Sequence, residues 1–139
     1  MPRLLALDIG LKRVGIAMTD PEQRIASPYD TVSAFRLMEY ILALMQREPI
    51  EAVVVGFPVD LLGRTTDATP AVKAFIRNFK QKFPGVPIHT IDERFTSKLA
   101  KGVILQSGKG KTARADKELV DKISAAIILQ DFMERKARQ

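Results

Sequence analysis

The 139-residue chain has no cysteine and no tryptophan, a single histidine, and only seven phenylalanines and two tyrosines. Without cysteine there are no disulfides, no thiolate zinc sites and no cysteine nucleophile, a usage that suits a reducing compartment. Any metal ligands are therefore oxygens or His89. His89 lies inside an apolar run and reads as a packed sheet residue rather than a ligand. No stretch approaches the roughly 18 apolar residues that a membrane span needs, and Met1 to Asp8 lacks a basic region followed by a long apolar one. The expectation is a cytoplasmic protein with no membrane partner. A glycine-rich Walker A phosphate loop is also missing.

Hydrophobic residues make up 46% and charged residues 27% of the chain. These proportions are close to the globular average, and the length suits one domain spanning 1–139. Lysine and arginine number 22 against 16 acids, a net +6 that favours an anionic polymer as partner. The excess is concentrated. Gly108 to Lys117 holds four basic residues against one acid, a net +3, and the tail Glu134 to Arg138 adds +2. Lys109, Lys111, Arg114 and Lys117 are the candidate phosphate contacts, although such a stretch also reads as a solvated loop.

Short apolar runs at Leu4–Asp8 and Val14–Asp20, closed by Gly10 and by Asp20-Pro21, predict two strands with a tight connection. Arg24 to Pro28 predicts a third strand at an edge, because Pro28 cannot donate to a ladder. Ala34, Met38, Ile41, Leu42 and Met45 fall at helical spacing, with Ser33 as N-cap and Pro49 past the end. Glu51 to Phe57 is a continuous β-branched run, the pattern of an interior parallel strand. A helix follows from Thr69-Pro70, with a stripe of Val72, Phe75, Ile76, Phe79 and Phe83. Val86 to Asp92 predicts a strand, Ser97 to Gln106 a short helix, and Asp116 to Lys136 a long one. The expected fold is α/β: a mixed central sheet of about five strands, opening antiparallel and continuing through βα crossovers, with helices on both faces.

Against this frame three acids stand in apolar company. Asp8 ends a strand, and ligands in open α/β sheets gather at the carboxyl ends of strands. Glu93 follows directly on the Val86–Asp92 strand. Asp121 shares a helix face with Ala125, Ile128 and Phe132, an apolar stripe that should look inward. An ionised acid buried alone is costly, and a cation is one of few ways to keep it charged. Oxygen ligands of this kind suit Mg²⁺ or Mn²⁺. Two such ions about 4 Å apart clamp the attacking water and the leaving oxygen in phosphodiester cleavage. Each acid also has a plainer reading: Asp-Ile-Gly is common at strand ends, Glu93 with Arg94 makes a surface ion pair, and Asp121 favours the dipole of a helix that starts late.

These residues, in this order, resemble the YqgF/RuvX family of pre-16S rRNA nucleases and Holliday junction resolvases. The matching elements are Leu5-Ala-Leu-Asp8-Ile-Gly-Leu-Lys-Arg13-Val-Gly-Ile-Ala17 with Thr19-Asp20-Pro21, then Val54-Val-Gly56-Phe-Pro58, Asp92-Glu93-Arg94-Phe-Thr96, and Val120-Asp121-Lys-Ile-Ser-Ala-Ala126-Ile-Ile-Leu-Gln130. The resemblance covers nearly the whole chain and implies an RNase H-like fold with Asp8, Glu93 and Asp121 as a metal-binding triad. It also implies Mg²⁺-dependent hydrolysis that leaves a 5′-phosphate and a 3′-hydroxyl. Arg13 and Arg94 follow its motifs and either hold phosphate or pair with a neighbouring carboxylate.

Two departures stand out. An Asp-x-x-Asp on the last helix is the RuvC-like arrangement, whereas the residue three after Asp121 is Ser124. The stretch after Pro58 often resembles Leu-Asn-Met-Asp-Gly in relatives, whereas here it is Val59-Asp-Leu-Leu-Gly63.

The expected function is metal-dependent processing of the 5′ end of pre-16S rRNA in ribosome biogenesis. The alternative substrate is branched DNA, which needs two symmetric nicks and so a homodimer. Two rivals remain. A phosphotransferase of the actin and hexokinase kind also opens with Asp-x-Gly but needs a second lobe. A non-catalytic nucleic-acid-binding factor would use the basic stretch alone and has no need of three inward acids.

Overall fold

In the computed structural model, residues 2–57, 67–92 and 113–137 are described here, 113–116 as backbone only. The described elements are β1 (Arg3–Ile9), β2 (Arg13–Thr19), β3 (Ala26–Ser33), a 3₁₀ turn (Ala34–Arg36), α1 (Leu37–Arg47), β4 (Ile50–Phe57), α2 (Thr69–Lys82), β5 (Ile88–Asp92) and α3 (Ala113–Ala137). The five strands form one sheet in the order β3-β2-β1-β4-β5. β1 pairs antiparallel with β2 and β2 with β3, while β4 runs parallel to both β1 and β5. The antiparallel opening and the parallel continuation are as the sequence predicts.

β1 and β4 are interior because they are apolar on both faces, and the pleat divides their side chains between two cores. Leu5, Leu7 and Ile9 of β1 join Val53 and Val55 of β4 beneath α1 and α2. Leu4 and Ala6 join Ala52, Val54 and Ala17 beneath α3, against Ala125, Ile128 and Leu129. The aromatic stripe of α2 lies in the first core, with the Phe75 and Phe79 rings 5.8 Å apart and those of Phe79 and Phe83 5.0 Å apart.

Four boundaries differ from the sequence expectation. The edge strand runs over Ala26–Ser33 and not Arg24–Pro28, because Asp20 caps the turn before it: its Oδ1 accepts from the N–H groups of Arg24 and Ile25, both at 2.8 Å. Pro28 does sit in this edge strand, opposite Ala17, beside a register shift between Ile16 and Ala17. Ser33 makes no side-chain cap, and Thr69 is not the N-cap of its helix. Ser33 instead precedes the 3₁₀ turn, and Thr69 is already helical behind Ala68. The last helix begins at Ala113, three residues earlier than expected, which removes the late-starting reading of Asp121. The short helix expected over Ser97–Gln106 lies outside the described residues. His89 is a sheet residue, exposed on the edge strand β5, with its ring 5.1 Å from that of Phe132.

Candidate functional site

The connection between β1 and β2 is short enough that only a small residue fits its first position. The Gly10 N–H donates to the Arg13 carbonyl at 2.9 Å, and a Cβ on Gly10 would lie 2.9 Å from that oxygen. This tight return sets the register in which Asp8, at the carboxyl end of β1, faces Gly15 on β2. Asp8 has the parity of Leu4 and Ala6, so the pleat directs it to the α3 side of the sheet. It is half-buried there and makes polar contacts of its own.

Gly15 is what brings α3 to this place. A Cβ at that position would collide with the main chain of Asp121, so the helix backbone rests directly on β2 where a side chain would otherwise stand. Asp8 and Asp121, 113 positions apart in the chain, thereby come to one face of one strand pair. Two polar ties hold the arrangement. The Arg13 Nε–H donates to Asp121 Oδ2 at 2.7 Å, and the Thr31 hydroxyl donates to the Glu118 carbonyl at 2.7 Å.

Burial, the largest influence, raises the Asp121 pKa above its usual value; the Arg13 hydrogen bond and charge pull it down, and Glu118 raises it again. A cation beside Asp121 would act in the same direction as Arg13. Arg13 is thus seen in the second of its two expected roles, paired with a carboxylate. One turn beyond Asp121, Ser124 is wholly buried and its hydroxyl has no hydrogen-bond partner among the described residues. The position where an Asp-x-x-Asp motif would carry its second acid is packed into the helix–sheet interface.

Among the described residues no group of three or more metal-ligating side chains comes together. Glu93, Arg94, Lys109 and Lys111 lie outside the described residues, as does the side chain of Arg114, while Lys117 is exposed on α3. The described part of the expected triad is Asp8 with Asp121. Gly15 and Thr31 had no role of their own in the sequence reading, and Ser124 entered it only as a departure from the Asp-x-x-Asp pattern. A glycine inside a strand of β-branched and apolar residues is a signal of close backbone approach, and that signal was present for Gly15.

The sequence profile of the RuvX family, described as Holliday junction resolvase, matches residues 2–135. The chain belongs to the RuvX family. Relatives include a protein of Flavobacterium psychrophilum, 42% identical over 136 residues that span 98% of this chain and 99% of the relative. One of Amoebophilus asiaticus is 44% identical over 133 residues, 96% of this chain and 94% of the relative. Both are named "Putative pre-16S rRNA nuclease". Among solved structures, Thermus thermophilus RuvC superposes with a TM-score of 0.56 at 16% identity, covering 97% of this chain and 96% of that one. The Fowlpox virus resolvase, solved with Holliday junction DNA, gives 0.56 at 17% identity, covering 96% and 98%. These likenesses show that this RuvX chain has the RNase H-like fold.

Proposed function

We propose that this RuvX protein is a divalent-metal-dependent endonuclease whose substrate is precursor 16S rRNA, cut near its 5′ end during ribosome biogenesis in the cytoplasm. The observation that carries the proposal is that Gly15, paired with Asp8, takes the Asp121 main chain onto the same face of the β1–β2 pair. Two carboxylates on that face, one with its pKa raised by burial, would suit a hard cation. Glu93, directly after β5 in sequence, is the proposed third ligand. The three acids would hold Mg²⁺ or Mn²⁺, which when bound supplies activation of water and stabilisation of the leaving oxygen.

The chain's own residues account for the rest. Arg13 holds Asp121 in one orientation and offsets part of its burial cost. Arg94, Lys109, Lys111, Arg114 and Lys117 are the proposed backbone contacts, neutralising phosphates so that the strand approaches a carboxylate cluster that would otherwise repel it. The whole chain acts as one nuclease domain, and no described helix is long and apolar enough to cross a membrane.

The relatives' name supports the RNA substrate, whereas the family description favours a second reading, cleavage of four-way DNA junctions by a homodimer with two sites. The test is incubation of end-labelled precursor rRNA and of a four-way junction with Mg²⁺ or Mn²⁺. The expected result is metal-dependent cleavage of the RNA, leaving 5′-phosphate ends. Paired symmetric nicks in the junction alone would select the second reading. Failure to cut either substrate with either metal would overturn both.

A further inference from the structure

Beside the carboxylates lies a surface of which the nuclease reading uses only Arg13 and Lys117. Phe35, in the 3₁₀ turn after β3, is 99% exposed, and Leu11, in the β1–β2 connection, is 64% exposed. A lone exposed apolar side chain needs no explanation. These two stand on neighbouring turns, because the Ala34 N–H donates to the Lys12 carbonyl at 3.0 Å. Lys12, next to Leu11, and Ser33, two residues before Phe35, line a cleft of about 270 Å³ together with Arg13, Lys117 and Glu118. Ser33 pairs with Arg13, whose guanidinium reaches Asp121, so the cleft opens next to the candidate metal site. Arg13 is engaged by Asp121 and Glu118 makes polar contacts of its own. Among the described residues of the cleft, Lys12 and Lys117, both exposed, are the cations left to meet a ligand, with Arg36 exposed beside Phe35.

An anionic group between two lysines and a flat apolar face next to it match the two halves of a nucleotide. We infer that Lys12 and Lys117 seat a backbone phosphate of the substrate strand and that Phe35 stacks on the adjoining unpaired base. A base inside a duplex has both faces covered, so Phe35 selects for single-stranded nucleic acid next to the scissile bond. This inference rests on the nuclease reading for what the strand is doing there, but binding without divalent metal tests it separately.

The chain has no tryptophan, so Phe35→Trp places a single indole at the proposed contact. The experiment titrates this variant, in EDTA, with a single-stranded 12-mer RNA and with the same sequence as a blunt duplex. Indole emission should be quenched by the single strand and not by the duplex, with affinity for the single strand kept. Phe35→Ala should weaken single-strand binding by roughly tenfold and leave duplex binding unchanged, the scale expected for one base stacked on an aromatic ring. Lys12→Ala combined with Lys117→Ala should weaken both.

Unchanged emission together with wild-type RNA affinity for Phe35→Ala would overturn the inference. So would a Phe35→Ala protein that keeps its RNA affinity but changes from dimer to monomer in sedimentation, since the face would then bind a second copy of the chain. Quenching without any metal-dependent cleavage would instead refute the nuclease reading and leave the stacking site standing.

Discussion

Gly15 is the residue on which the geometry of the site depends. Its missing side chain lets the α3 backbone lie against β2, and any Cβ there meets the Asp121 main chain rather than a side chain able to rotate away. Gly15→Ala should therefore destabilise the fold by about 3 kcal/mol or more, the upper range for overpacking, read as a lowered urea midpoint. A loss below about 0.5 kcal/mol, the range of ordinary surface changes, would mean that the helix does not rest there.

Asp121 gives a second prediction at this scale. Its folded pKa is raised, so the native protein binds more protons than the unfolded chain above the ordinary value of 3.8. Its contribution to stability is full below that value and is lost as pH rises through the raised one. In metal-free protein, wild type should lose stability relative to Asp121→Asn across this window, and Arg13→Ala should extend the loss to higher pH. Urea unfolding at a series of pH values checks this, and a wild type that gains on Asp121→Asn as pH rises would contradict it.

At the scale of elements, what was legible depended on whether the signal was periodic or local. The inward face of α3 could be read because Ala125, Ile128 and Phe132 recur at helical spacing around Asp121, and the core beneath α3 bears this out. The interior place of β4 followed from its unbroken apolar run. Helix starts were less legible. Ser33 and Thr69 have the right chemistry for caps, yet the strand-to-3₁₀ path and a helix begun one residue earlier deny both the geometry. The Arg13–Asp121 pair was not legible as a fact, since nothing local couples residues 108 positions apart.

Ser124 tests the packing of α3 directly. Its hydroxyl is buried with no partner among the described residues, so Ser124→Ala removes a desolvation cost and no hydrogen bond seen there. The thermal midpoint should hold or rise, by the equivalent of at most about 1 kcal/mol. A clear fall would show that the hydroxyl has a partner in solution.

Across the whole molecule, a net +6 concentrated in 108–117 and at the C-terminal tail sets the strength and salt dependence of binding, while the carboxylates decide whether a bound strand is cut. Replacing Lys109, Lys111, Arg114 and Lys117 together by alanine should reduce the slope of log affinity against log salt by about 0.7 for each lost contact to single-stranded RNA. An unchanged slope would remove the basic stretch from the binding surface. The two functions separate further at Asp8. Asp8→Asn keeps the size and hydrogen-bonding shape of the side chain and removes its charge, so the fold and the RNA affinity should persist. The decisive measurement is cleavage of end-labelled precursor rRNA in Mg²⁺ by wild type and Asp8→Asn prepared side by side. Cleavage by wild type, lost in the variant while binding is retained, is the predicted result; cleavage that survives the substitution would contradict the assignment of the chemistry to this site.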